Sequence, residues 1–227
     1  TALAGFPHHS LNTYLPKLVK AGMRVAICDQ LENPKMTKTI VKRGVTELIT
    51  PGVSLNDEVL QSKSNNFLAA VHFGKRLLGV SFLDVSTGEY LLAQGNEEYI
   101  DKLLQNFSPS EVLVQKQYKQ KFKELFEDRF YTFYLEDWVF QKGYGFETLN
   151  THFDVNSLKG FGVQELPEGI IAAGAVLYYL SETQHNKLKH IQNISRIAED
   201  NYVWMDRFTI RNLELYHPNS LNAVTLL

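Results

Sequence analysis

The stretch Gly79-Val80-Ser81-Phe82-Leu83-Asp84-Val85-Ser86-Thr87-Gly88-Glu89-Tyr90 decides the fold. Apolar, strand-favouring residues run up to Asp84, a Ser-Thr-Gly cluster supplies the left-handed position of a tight turn, and strand-favouring residues resume at Tyr90, so the stretch reads as a hairpin. Working outward, Phe67 to Phe73, Leu77 to Val85 and Glu89 to Ala93 are three β-rich runs joined by Gly74-Lys75-Arg76 and Ser86-Thr87-Gly88, a meander. Asn96 then caps a helix with Ile100, Leu103, Leu104 and Phe107 at i, i+3, i+4 and i+7, and Ser108-Pro109 ends it. The spacing next predicts a short strand over Val112 to Val114, a helix over Lys119 to Phe126, a strand over Phe130 to Tyr134 and a helix from about Trp138 to Asn150.

The order βββαβαβα places the chain in the α/β class with a ribonuclease-H-like layout, a hairpin sheet extended by parallel strands whose crossover helices cover both faces. That fold raises the question of Asp84. A nuclease on this scaffold needs several carboxylates around paired Mg²⁺ ions that bridge the attacking and leaving oxygens. No acid occurs from Phe67 to Phe73, and Gln115-Lys116-Gln117-Tyr118 follows the fourth strand where another ligand would stand. Glu97, Glu98 and Asp101 follow a helix cap, where acids favour the positive end of the dipole. Asp84 is therefore expected to bond to its own turn; the alternative is an autonomous metal-dependent nuclease that uses it. After Pro167 a long helix, apolar almost all round from Ile170 to Leu180, should be buried.

Ahead of the meander, Ser10 and Gly22 bracket a helix from about Leu11 to Ala21 that contains Pro16. Arg24 to Gln30 and Val41 to Thr50 read as strands flanking the basic loop Asn33 to Lys38, and the second run ends at Pro51-Gly52. A helix and two strands without the rest of a sheet look like the tail of a larger domain. Ser54 to Asn66 reads as a linker. At the other end, the polar stretch His185 to Asp200 and a helical pattern over Thr209 to Tyr216 look like the start of a third unit.

With 227 residues, 44% hydrophobic and 12% aromatic, the chain can bury a sizeable core. Its longest nearly apolar run is about half the ~20 residues of a membrane span, and it opens without a signal-like segment, so a cytoplasmic protein with no membrane partner is expected. The single cysteine, Cys28, lies in an apolar strand and is expected to pack inertly in the core. Adjacent His8 and His9 aim apart, and no Cys/His pair has zinc spacing, so no metal site is expected. Gly160-Phe161-Gly162 lacks the third glycine of a dinucleotide fingerprint and reads as a loop, and no G-x-x-x-x-G-K-[ST] is present. Residues 1 to 50 hold seven Lys/Arg against three Asp/Glu, a surplus of four that leaves minus six for the rest of a chain of net charge -2. The basic first segment hints at a polyanion, or at no more than solvated lysines.

Ala4-Gly5-Phe6-Pro7-His8-His9, Tyr14-Leu15-Pro16-Lys17-Leu18-Val19, Val25-Ala26-Ile27-Cys28-Asp29-Gln30 and Thr50-Pro51-Gly52-Val53 together resemble the MutS DNA mismatch-repair family. The likeness continues in order through Leu83-Asp84-Val85-Ser86-Thr87-Gly88, Ala172-Ala173-Gly174, Met205-Asp206 and Arg211-Asn212-Leu213-Glu214. His8 departs from it, since the family usually has tyrosine after that proline. The resemblance implies an internal fragment: residues 1–53 the end of the mismatch-recognition domain, 54–186 the ribonuclease-H-like connector, and 187–227 the start of the helical core. It implies that the parent binds mismatched duplex DNA as a homodimer, uses ATP and Mg²⁺, and recruits MutL. The wedge motif would precede Thr1 and the ATPase would follow Leu227, so the fragment itself is expected to hold no cofactor and no catalytic site. Arg43 matches a family arginine on the DNA backbone, with Lys38 as a second phosphate contact, and Leu3 falls in the segment nearest the wedge. Glu147 and Thr148, near the end of a connector helix, are the candidates for MutL docking.

Overall fold

A computed structural model describes residues 8–32, 36, 40–53, 65–183 and 188–197. Three strands form the meander: β3 (Phe67–Phe73), β4 (Leu78–Asp84) and β5 (Tyr90–Gly95), preceded in the chain by β1 (Val25–Gln30) and β2 (Arg43–Ile49). Every residue of β3 and β4 is buried, which is why neither shows the apolar/polar alternation of a sheet with one wet face. Neighbouring residues nonetheless point to opposite layers. Leu68, Ala70, Leu83 and Leu92 face one hydrophobic core, while Phe67, Ala69, Val71, Val80 and Phe82 face another.

The second core is closed by α2 (Glu97–Phe107), through Ile100, Leu103 and Leu104, and by α3 (Lys119–Phe126), through Phe122 and Phe126. Asn96 caps α2 by accepting from the Tyr99 amide at 2.9 Å. The first core is closed by α4 (Lys142–Phe153) and α5 (Pro167–Glu182). Pro167 opens α5, where its missing N–H costs nothing, and the helix is buried through most of its length, as its composition requires. A Cβ on Gly174 would stand 2.5 Å from the Gly145 Cα, so the two helices touch backbone to backbone.

With β6 (Glu111–Gln115), β7 (Thr132–Leu135) and β8 (Ser195–Arg196), the sheet order is β7-β6-β3-β4-β5-β8. The β3-β4 and β4-β5 pairs are antiparallel and the other three parallel, which is the ribonuclease-H-like arrangement expected from the element order. β8 was not foreseen. Ile191, Ile194 and Ile197 are buried, the Ile197 amide donates to the Leu92 carbonyl, and the polar look of this stretch hides three spaced anchors.

α1 (Leu11–Lys20) lies against the antiparallel β1–β2 ribbon through Leu15, Val19 and Ile49, with Val25 and Ile27 alongside. Gly22 stops it at φ +79°. Ser10 does not cap it through its side chain: a 3₁₀ turn, His8–Ser10, leads in, and no side-chain capping bond from Ser10 forms. Cys28 is exposed, not packed in a core. The ribbon has a register shift between Ile27 and Cys28, and alternation turns Cys28 away from the α1 side that Val25 and Ile27 occupy. A second boundary also differs: Asp137–Phe140 is a 3₁₀ turn, extended Gln141 breaks the chain (φ -86°, ψ 140°), and α4 begins only at Lys142. The Ser54–Asn66 linker lies outside the described residues up to position 64, as does the Thr209 to Tyr216 pattern. Among the described residues no helix is long and apolar enough to cross a membrane.

Candidate functional site

Asp84 ends β4 and is 1% exposed. One carboxylate oxygen, Oδ1, accepts from the amides of Ser86 (2.9 Å) and Thr87 (3.3 Å) and from the Ser86 hydroxyl (2.6 Å). The other, Oδ2, accepts from the Asn66 amide at 3.1 Å. Gly88, at φ +77°, brings its amide to the Asp84 carbonyl and closes the turn. Three of these four bonds go to backbone amides and the fourth to the Ser86 hydroxyl of the same turn, so the carboxylate serves local geometry. Asn66 extends the network: its side chain donates to the Pro51 carbonyl and accepts from the Ser110 hydroxyl. Asp84 therefore ties the hairpin to the chain entering β3 and leaving β2.

Among the described residues no other acid joins it. Among the described residues there is no group of three or more His, Cys, Asp or Glu side chains that could hold a metal ion. At the opposite end of β3, His72 sits between Gln115 (3.0 Å) and Glu168 (3.0 Å) and stacks on Phe140. Burial holds the imidazole below its ordinary pKa despite the pull of Glu168, and only one carboxylate is present. An Asp84-centred nuclease has no support in this geometry. Gly160-Phe161-Gly162 lies in a 3₁₀ turn and its left-handed exit, a loop as the sequence indicates.

Arg43 begins β2, paired with Gln30, and is exposed. Lys42 beside it lies 4.0 Å from Glu32, while among the described residues Arg43 takes no ion pair. Lys38 and Leu3 fall outside the described residues. Glu147 is exposed and Thr148 half-buried on α4, far along the chain from the ribbon.

A constellation that sequence reasoning missed joins ribbon and sheet. Glu111, at the head of β6, is fully buried. Its Oε2 accepts from the Thr50 hydroxyl (2.5 Å) and the Gly52 amide (3.1 Å), and its Oε1 from the Tyr179 hydroxyl of α5 (2.7 Å). The Arg24 guanidinium lies 3.9 Å from the centre of the Phe133 ring and near that of Tyr179, and its charge reaches Glu111. Burial pushes the Glu111 carboxyl above its ordinary range, more strongly than these donors and Arg24 pull it down. Tyr179 is raised likewise, by burial first and then by Glu111. The Leu48 amide adds a bond to the Thr183 carbonyl just past α5. The one local signal was an acid heading the apolar run Val112-Leu113-Val114; nothing local marks partners 59 and 61 positions away.

Residues 66–192 match the family described as MutS domain II, and residues 1–58 match MutS domain I. Over all 227 residues the chain is 77% identical to the DNA mismatch repair protein MutS of Flavobacterium psychrophilum and 76% identical to that of Flavobacterium johnsoniae. In each case it covers 26% of the relative. Over 213 residues, 94% of the chain, it is 60% identical to the MutS of Parabacteroides distasonis and covers 24% of it. The chain thus spans about a quarter of the length of these relatives. Matched along both segments and to these relatives over its whole length, this chain belongs to the MutS family of DNA mismatch repair proteins.

Proposed function

We propose that the chain is the mechanical middle of a mismatch sensor, a fragment with no catalytic site or cofactor of its own. In this reading the full-length parent is a cytoplasmic homodimer that binds mispaired duplex DNA, couples that binding to ATP and Mg²⁺, and recruits MutL. Residues 1–53 end the mismatch-recognition domain, 54–186 form the connector and 187–227 begin the core. Arg43 and Lys38 contact phosphates, which positions the protein without reading sequence, and Leu3 packs near the wedge. Glu147 and Thr148 contribute to a MutL docking surface. A relay needs packed elements that move as units, not a reactive centre.

The observation that supports this reading best is the MutS identity along the whole chain, combined with an exposed Arg43 on a ribbon that is bonded into the sheet through buried groups. In the full-length parent, Arg43→Ala should weaken mismatch binding and lower the slope of log K against log salt by about one, because one fewer phosphate is neutralised. A slope equal to that of the parent would refute the Arg43 contact.

A further inference from the structure

Glu111 gathers three donors from two separate stretches: Thr50 and Gly52 at the exit from β2, and Tyr179 in α5. We propose that Glu111 is the positioning residue of a polar joint that sets the orientation of the β1–β2 ribbon, and with it Arg43, on the six-stranded sheet. An apolar contact is non-directional and tolerates rotation. A carboxylate oxygen shared by two donors does not, because a turned ribbon leaves the Thr50 hydroxyl and the Gly52 amide buried and unpaired.

The surroundings are built for that one approach. A Cβ at Gly52 would lie 2.8 Å from the Glu111 Cβ and 2.9 Å from the Leu68 Cδ1, so the ribbon reaches Glu111 only because residue 52 has no side chain. Thr50 is fully buried, as is Val53, which continues into the sheet's own core. On the ribbon side Arg24 rests over Phe133 with its Nε buried and without an acceptor, so the face of an aromatic ring and the charge of Glu111 hold it in place. A group present only for stability would lower the melting temperature on replacement and leave the ribbon's orientation unchanged. Glu111 replaced alone strands its buried donors, at a cost in stability, and also frees the ribbon to turn.

The inference goes beyond DNA or MutL binding, and its test needs neither. In the 227-residue chain, one nitroxide on Cys28, the single and exposed cysteine, and another on Glu124→Cys, at an exposed position of α3, report the ribbon-to-sheet distance by double electron–electron resonance. The unmodified joint should give one narrow distribution. Glu111→Leu should roughly double its width, and the chain should also melt lower because the Thr50, Gly52 and Tyr179 donors are left buried without an acceptor. Glu111→Gln, which keeps one acceptor oxygen, should fall between. Thr50→Val alters no residue of the sheet and should also broaden the distribution; it decides the matter alone if Glu111→Leu does not fold. Distributions of Glu111→Leu and Thr50→Val superimposable on the original would overturn the proposal, whereas a failed Arg43 salt test would leave it standing.

Discussion

Replacing Asp84 by asparagine separates a turn-building carboxylate from a catalytic one. Asparagine keeps one acceptor oxygen, and it will sit at the Oδ1 position, where three donors converge from Ser86 and Thr87. The new NH₂ group then faces the Asn66 amide, which has been donating to Oδ2 at 3.1 Å. A charge-assisted bond becomes a donor facing a donor at a site only 1% exposed, which costs about 2 kcal/mol. For a chain of this size each kcal/mol lowers Tm by roughly 2–4 °C, so Asp84→Asn should melt about 4–8 °C lower. Calorimetry on the 227-residue chain, with urea unfolding as a second measure, reads this directly. A variant as stable as the parent, or more stable, would refute the argument, since that is how a chain behaves when an uncompensated active-site acid is removed.

Burial raises the folded-state pKa of Glu111 above its ordinary 4.5, against Thr50, Tyr179, Gly52 and Arg24. Its contribution is therefore fully present below 4.5 and lost as pH rises through the raised value. The stability of the parent relative to Glu111→Gln should fall across that window in a pH series of urea melts, and parallel curves would refute it. Gly174→Ala should lower stability by about 1–3 kcal/mol, because its Cβ meets the Gly145 backbone, which cannot rotate away. An unchanged urea midpoint would contradict the close helix contact. Cys28 should react fully with a thiol reagent in the native chain, and reaction only after denaturation would show that it is covered.

The fold was legible where local chemistry and global placement agree. Gly88 and the Ser86-Thr87 pair announce the hairpin, Asn96 announces α2, and the apolar circumference of α5 announces burial on all sides. The failures share a cause: each depends on what lies opposite. Cys28 reads as core until one knows that the ribbon has two strands and that α1 sits on the side of Val25 and Ile27. β8 is two residues long and exists only because β5 offers it an edge. For the candidate site, Asp84 could be assigned to its turn from spacing alone, since Ser86 and Thr87 are two and three residues on. Leu3, Glu147 and Thr148 rest on resemblance alone, whereas Arg43 and Lys38 stand in a basic segment that by itself hints only at some polyanion. The Glu111 joint stayed invisible because an isolated acid beside a strand looks solvated until Thr50, Gly52 and Tyr179 are brought to it.

The bare contact between Gly145 and Gly174 has a mechanical corollary. Most helix pairs are separated by side chains that can change rotamer and so soak up a small displacement like a gasket. Where Gly145 meets Gly174, α4 bears on α5 with no such cushion, and just past the end of α5 the Thr183 carbonyl receives the Leu48 amide of β2. A displacement of α4 at Gly145 therefore has to shift the α5 backbone itself, since no side chain lies between them there to give way.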